Sequence, residues 1–292
     1  VVAVAVLTAV NLAGVHRTAK AAILGAIFVG GVLVLAGGAT LGSASATAEN
    51  LKPVLGTHGL HGLLGAAGVM FFAFAGYARI ATLGEEVRDP ARTIPRAVPI
   101  ALITAFIIYA LTTSGSLLVL GSAGLADSNA PLVDAARLAV GPWLGIAVRA
   151  GATVAILGVL LSLLAGVART AFAMAADGEL PKVLAAVHGR TRVPHRAQIA
   201  VGVLVSGLVL TVPTMDAIAT SSLLILTYYS IAHLSALRLT VQQKRPRLLA
   251  PFGLIVCIAL GLNLPGADVV TGLAILSAGL LVRAVTRQLR KA

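Results

Sequence analysis

An all-α polytopic membrane protein is predicted from three features of the sequence. Apolar residues make up 58% of the 292 and charged residues only 11%, whereas a soluble domain carries roughly a quarter charged residues. The apolar residues fall in long uniform runs without the period-two alternation of a membrane strand, and in lipid only a helix satisfies the backbone of such a run internally. The charges gather between the runs: all ten carboxylates fall in loops or near span ends. A carboxylate relay of the kind a proton pump uses at mid-membrane is therefore absent from these spans.

Taken in order, the apolar runs predict nine spans, at 1–10, 21–41, 60–80, 98–120, 143–175, 197–212, 215–237, 248–264 and 268–285, the first of them partial. The chain starts without methionine, and the ten apolar-rich residues before Asn11 fall short of the roughly 20 a span needs, which reads as the end of a longer helix. If the first link is cytoplasmic, nineteen of the 22 basic residues lie on that side and only Lys52, Arg137 and Arg149 on the other. That asymmetry predicts a cytoplasmic C-terminus, with the basic clusters facing lipid headgroups. The isoelectric point near 11.1 does not signal nucleic acid, because the basic residues are split among separate inter-span segments and do not line one face.

The densest chemistry lies between Val69 and Arg96. Phe71, Phe72 and Phe74 alternate with Ala73, Ala75 and Gly76, followed by Tyr77. Such a segment supplies aromatic surface together with positions where the backbone can be approached closely. Beyond it comes a polar loop with Glu85, Glu86, Arg88, Asp89, Pro90, Arg92, Pro95 and Arg96. Paired carboxylates without a nucleophile and base, or without metal-ligand spacing, make neither a hydrolase nor a metal centre. His58 and His61 in a glycine-rich external loop do not change that, so no catalytic residue, metal or cofactor is expected. Cys257 lies in an apolar run and has no second cysteine to pair with. Arg149 reads as an interfacial anchor, His233 sits near the inner interface, and Tyr228 and Tyr229 fall nearer mid-span.

The polar stretch Gly84 to Arg96, G-E-E-V-R-D-P-A-R-T-I-P-R, resembles the loop after the sixth span of permeases in the amino acid, polyamine and organocation superfamily. Asn11-Leu12-Ala13-Gly14-Val15 is similar to their turn between spans four and five. Arg169, Ala173-Met174-Ala175, Asp177-Gly178 and Leu180-Pro181 resemble the end of span eight, and Lys244-Arg245-Pro246-Arg247 before Pro251 the segment between spans ten and eleven. The resemblance covers the whole chain and implies an inverted-repeat transporter fold with discontinuous helices, represented here by spans four to twelve. Residues 1–41 would end the first repeat, 60–237 form the second, 248–285 supply two trailing spans and 286–292 a cytoplasmic tail.

By that resemblance Phe72 matches an aromatic gate, and Phe72, Ala73, Phe74, Ala75, Gly76 and Tyr77 would contact substrate where the helix unwinds. Glu85 and Glu86 read as an inner latch able to pair with Arg79, Arg88 or Arg169, or else as a solvated loop. Ser162 resembles a hydroxyl ligand for sodium, with helix packing the other role open to it. The stretch 26–30 is wholly apolar where proton-dependent members carry a lysine, and Ala176 stands where arginine is common, so the coupling ion, proton or sodium, stays open. The implied activity is secondary transport of an amino acid or related amine across a bacterial plasma membrane, with a neutral substrate favoured because no carboxylate sits at mid-membrane. An exporter or exchanger is one alternative, and a sensor or scaffold that retains the fold without transporting is another. Oligomeric state has no signal in the sequence.

Overall fold

The computed structural model describes all residues except 14–17, 53–58, 79–86, 88, 190, 192, 239–243 and 290–292. Among the described residues there is no strand. The α-helices are α1 (Val2–Leu12), α2 (Thr18–Leu41), α3 (Gly59–Met70), α4 (Pro90–Asp127), α5 (Pro131–Val140), α6 (Pro142–Ala176), α7 (His195–Thr211), α8 (Thr214–Ala236), α9 (Lys244–Leu262) and α10 (Gly266–Leu289). Three 3₁₀ segments accompany them, Ala48–Leu51, Phe71–Ala78 and Lys182–Ala185. Among the described residues six helical stretches are long and apolar enough to cross a membrane, and Val2–Leu12, His195–Thr211 and Leu249–Leu262 are shorter apolar helices at predicted span positions.

The chain forms two compact units, residues 1–52 with 103–211, and residues 53–102 with 212–292. In the first unit α6 packs against α1, α2, α5 and α7. Its interior is built from small side chains: Ala36, Ala135, Ala136, Ala168 and Ala197 are wholly buried, while Phe106, Ile156 and Val203 stand 63%, 64% and 68% exposed. Leu144 and Leu164 are buried as well, but so much outward-facing large apolar surface departs from a soluble bundle, where such groups go inside. It is the arrangement expected in lipid, where close helix contact through small residues replaces hydrophobic exclusion as the packing force. One apolar cluster joins Val32 and Ala36 to Val133, Ala136, Leu144 and Val148. Another joins Val4 to Leu164, Ala168, Ala197 and Val201.

Helix ends follow local chemistry. Asp89 immediately precedes Pro90, the first residue of α4, and its carbonyl accepts from Arg92 N at 3.1 Å and Thr93 N at 2.9 Å. Proline costs nothing at the first helical position, where its missing N–H has no partner to lose. The helix thus begins eight residues before the predicted span, inside the polar loop. α6 ends at Asp177 with Gly178 at φ 75°. The Glu179 N–H donates to Met174 O at 2.7 Å and the Gly178 N–H to Ala175 O at 3.1 Å, closing the paired bonds that a left-handed glycine allows.

Two features of the first unit were not expected. α4 breaks at Gly121, at φ 68° and ψ 174°, which frees carbonyls in the preceding turn. One of them is recaptured: Leu118 O accepts Asn50 Nδ2 at 2.8 Å and Thr47 N at 3.0 Å. The stretch between the predicted spans 98–120 and 143–175 also holds a helix, α5, in place of a plain loop. Ser128 Oγ donates to Asp134 Oδ2 at 2.6 Å and accepts from Ala130 N at 3.1 Å just before Pro131 opens the helix. Val133, Ala135 and Ala136 are its buried face.

In the second unit α8 is central, packing against α3, the 3₁₀ segment Phe71–Ala78, α9 and α10. Leu223, Leu226, Tyr229, Cys257 and Leu264 form its core, with Val69, Phe71 and Leu260 against it. α9 accepts the His233 ring at Gly253, where any side chain would overlap the imidazole.

Candidate substrate site

The candidate site grows out of α3. Glycine lets this helix lie against the backbone of α9: a Cβ at Gly65 would stand 2.9 Å from Asn263 O, and one at Gly68 3.1 Å from Leu260 O. After Met70 the helix tightens into the eight-residue 3₁₀ segment Phe71–Ala78. Runs of 3₁₀ longer than three or four residues are uncommon, because the hydrogen-bond geometry is poorer than in an α-helix. The interruption expected from composition is thus a change of helix type within the continuous stretch 59–78.

The change re-sorts which residues share a face. At three residues per turn, positions i and i+3 eclipse, so Phe71 lines up with Phe74, Phe72 with Ala75, and Ala73 with Gly76. An α-helix would instead have stacked Phe72 near Gly76. In the segment Phe71, Phe74 and Ala75 are partly buried, Ala73 and Gly76 are exposed, and Phe72 is 43% exposed. Nothing lies within 4 Å of where a Cβ on Gly76 would be. The result is a narrow open strip of two small residues flanked by one outward-facing phenylalanine. Tyr77 contributes its backbone, and its side chain lies outside the described residues.

α8 supports this segment from behind. The Tyr229 ring meets Phe71 edge-on, with centroids 5.6 Å apart and planes at 87°. The wholly buried Ser222 hydroxyl donates to Ile218 O at 2.9 Å and lies 3.5 Å from Val69 O. The sequence singles out Phe72 as a gate and gives Phe71 no role, and it does not distinguish Tyr228 from Tyr229. The structure separates them: Tyr229 is 8% exposed and Tyr228 55%. The usable signal was the spacing of Ser222, Leu226 and Tyr229, which puts all three on one helix face.

Ser162 and Arg169 belong to the first unit, where both are exposed on α6. Glu85, Glu86, Arg79 and Arg88 lie outside the described residues, as does His58. His61 Nδ1 pairs with Asn263 Oδ1. Among the described residues no cluster of three or more histidine, cysteine or acidic side chains is assembled for a metal. Carboxylates sit at helix termini: Asp134, Asp216 and Asp268 are in first turns, where the helix dipole favours negative charge. Asp268, 9% exposed, also receives Thr220 Oγ1 at 3.3 Å.

Comparison with known proteins agrees with this architecture. The amino acid permease family profile matches residues 1–283. An uncharacterized transporter of Mycobacterium tuberculosis is 47% identical over 298 aligned residues, covering 100% of this chain and 67% of that protein. A branched-chain amino acid permease of Bacillus subtilis is 28% identical over 208 residues, 71% of this chain and 42% of the permease. Human cationic amino acid transporter 4 is 36% identical over 176 residues, 60% of this chain and 28% of the transporter. A match along nearly the whole chain, on a bundle of lipid-suited helices, leads to one conclusion: this chain belongs to the amino acid permease family of the amino acid, polyamine and organocation superfamily, and is an integral membrane transporter, not an enzyme.

Proposed function

We propose that the protein moves a neutral amino acid across the bacterial plasma membrane by alternating access, and that the 3₁₀ segment Phe71–Ala78 is a substrate contact. The observation that carries this is the re-sorted face. Ala73 and Gly76 are exposed on it, and Phe72 stands beside them with ring surface to cover a bound side chain. Backbone groups that a zwitterion can reach replace the water it sheds on entering the membrane. The charge distribution supports neutrality: each carboxylate among the described residues lies in a loop or near a helix end, whereas a cationic side chain calls for a partner at depth. The basic-residue asymmetry favours a cytoplasmic C-terminus. On the family pattern, residues 1–41 close one inverted repeat, 60–237 form the next, and 248–285 trail it.

Uptake into proteoliposomes containing the full-length protein tests the substrate. Saturable flux of radiolabelled L-leucine, unaffected by excess L-arginine, is expected; arginine flux with no leucine flux would replace neutral by cationic. Imposed sodium or proton gradients identify the coupling ion, and Ser162→Ala weakens the sodium dependence if that hydroxyl is a ligand.

Glu85 and Glu86 complete the proposal as an inner-side latch that pairs with arginine in one gating state. Because such a latch acts on the rate of conformational exchange, Glu85→Gln with Glu86→Gln changes turnover several-fold while leucine binding at equilibrium stays within about twofold. Unaltered turnover in single-turnover and steady-state uptake would remove the latch.

A further inference from the structure

We propose that Ser222 and Tyr229 of α8 are positioning residues that hold the α-to-3₁₀ switch at Met70–Phe71, and so set substrate affinity without touching substrate. The inference rests on the reading of 71–78 as a substrate contact. Ser222, Leu226 and Tyr229 occupy one face of α8 and are 0%, 1% and 8% exposed. Their two polar or aromatic groups address the residues on either side of the switch. The Ser222 hydroxyl lies 3.5 Å from Val69 O, in the last turn of α3. The Tyr229 ring meets Phe71, the first 3₁₀ residue, at 5.6 Å and 87°. Met70, between those two anchors, is 50% exposed and faces away.

Eight consecutive 3₁₀ residues need outside support, since an isolated chain prefers α-geometry at that length. Burying Phe71 against Tyr229 supplies it by favouring the backbone that points Phe71 and Phe74 the same way. Loss of that hold releases the segment toward the α-form, in which each residue turns about 100° in place of 120° and rises about 1.5 Å in place of 2.0 Å. Over the five steps from Phe71 to Gly76 the strip then swings by about 100° and retracts by about 2.5 Å. Phe72 would come to lie over Gly76, closing the strip. Apparent affinity falls in proportion to the remaining 3₁₀ population.

The test uses full-length protein in proteoliposomes and nanodiscs. Tyr229→Ala raises the KM for L-leucine about two- to tenfold, the range an edge-on aromatic pair is worth, with kcat within about twofold. Tyr229→Phe, which keeps the ring, retains wild-type KM, and Ser222→Ala shifts KM in the same direction by less. Amide exchange, read without substrate, slows across 72–78 in Tyr229→Ala as the better-bonded α-form gains population, and is unchanged across 60–67. A purely structural role predicts lower yield and thermal stability with unaltered KM and unaltered local exchange, and that result overturns the proposal. If Tyr229→Ala does not fold, Tyr229→Leu and Phe71→Leu in a double-mutant cycle serve instead, and zero coupling in KM and local exchange overturns it. Gly76→Leu separates the two readings: normal transport by that variant rejects the substrate strip itself, whereas lost transport beside an unmoved Tyr229→Ala KM and exchange rejects only the positioning role.

Discussion

Leucine at Gly76 abolishes amino acid uptake, to below about 1% of the wild-type rate, while the protein stays folded. The expectation follows from two facts about one position. Gly76 does not use a backbone conformation reserved for glycine, since it is absent from the positive-φ glycines, and a Cβ placed there meets nothing within 4 Å. A larger side chain is therefore accommodated without strain or overpacking, and the thermal midpoint moves little. It nevertheless fills the strip that Gly76 shares with Ala73 and covers the backbone that a zwitterion would reach. Phe72→Ala, which removes the flanking ring but leaves the strip open, costs affinity before it costs rate, and its KM rises about tenfold or more as ring contact is lost. Uptake of labelled leucine and thermal unfolding of the same preparations check both variants. Wild-type flux from Gly76→Leu would place the substrate elsewhere.

The second large effect concerns stability and falls on the α2–α4 crossing. Gly115→Ala is expected to destabilise by about 1–3 kcal/mol, the usual cost of forcing an extra carbon into a packed core. A Cβ there runs directly into the Thr40 hydroxyl. Thr40 is wholly buried and donates to Ala36 O and Gly37 O at 2.9 Å each, so it cannot rotate away without losing those bonds. Gly37 lies one turn along the same contact, where a Cβ would stand 2.7 Å from Leu111 Cγ, which leaves the two helices no room to slide apart locally. Gly30→Ala is the control, a glycine of the same helix α2 with nothing within 4 Å of its Cβ position. It is expected to be neutral or slightly stabilising, because alanine gives up less backbone freedom on forming a helix. Thermal unfolding of the detergent-solubilised variants compares them; equal midpoints for Gly115→Ala and Gly30→Ala would show that the crossing is looser than described.

The two experiments probe opposite uses of glycine in lipid. At Gly115 and Gly37 the missing side chain is occupied by a neighbouring helix, and the residue serves packing. At Gly76 no described atom lies within 4 Å of a Cβ position, and the role proposed for the residue is access. Composition treats the three alike, and only their surroundings distinguish them.

The sequence by itself determined the α-helical membrane character, the positions of most spans and the family. Long apolar runs have one backbone solution in lipid, because every N–H and C=O must be satisfied within the segment. Helix start and stop signals such as Asp89-Pro90 and Gly178 act locally and need no distant partner. Tertiary structure decided the rest. Whether residues 71–78 wind as α or 3₁₀, and hence whether Phe71 or Phe72 faces inward, depends on Tyr229 and Ser222, about 150 residues away in the chain. The break at Gly121 depends on Asn50 and Thr47 to take up Leu118 O, and the short helix α5 depends on α2 and α6 to cover its apolar face. In each case the local alternatives differ by little free energy, so a contact remote in sequence selects between them.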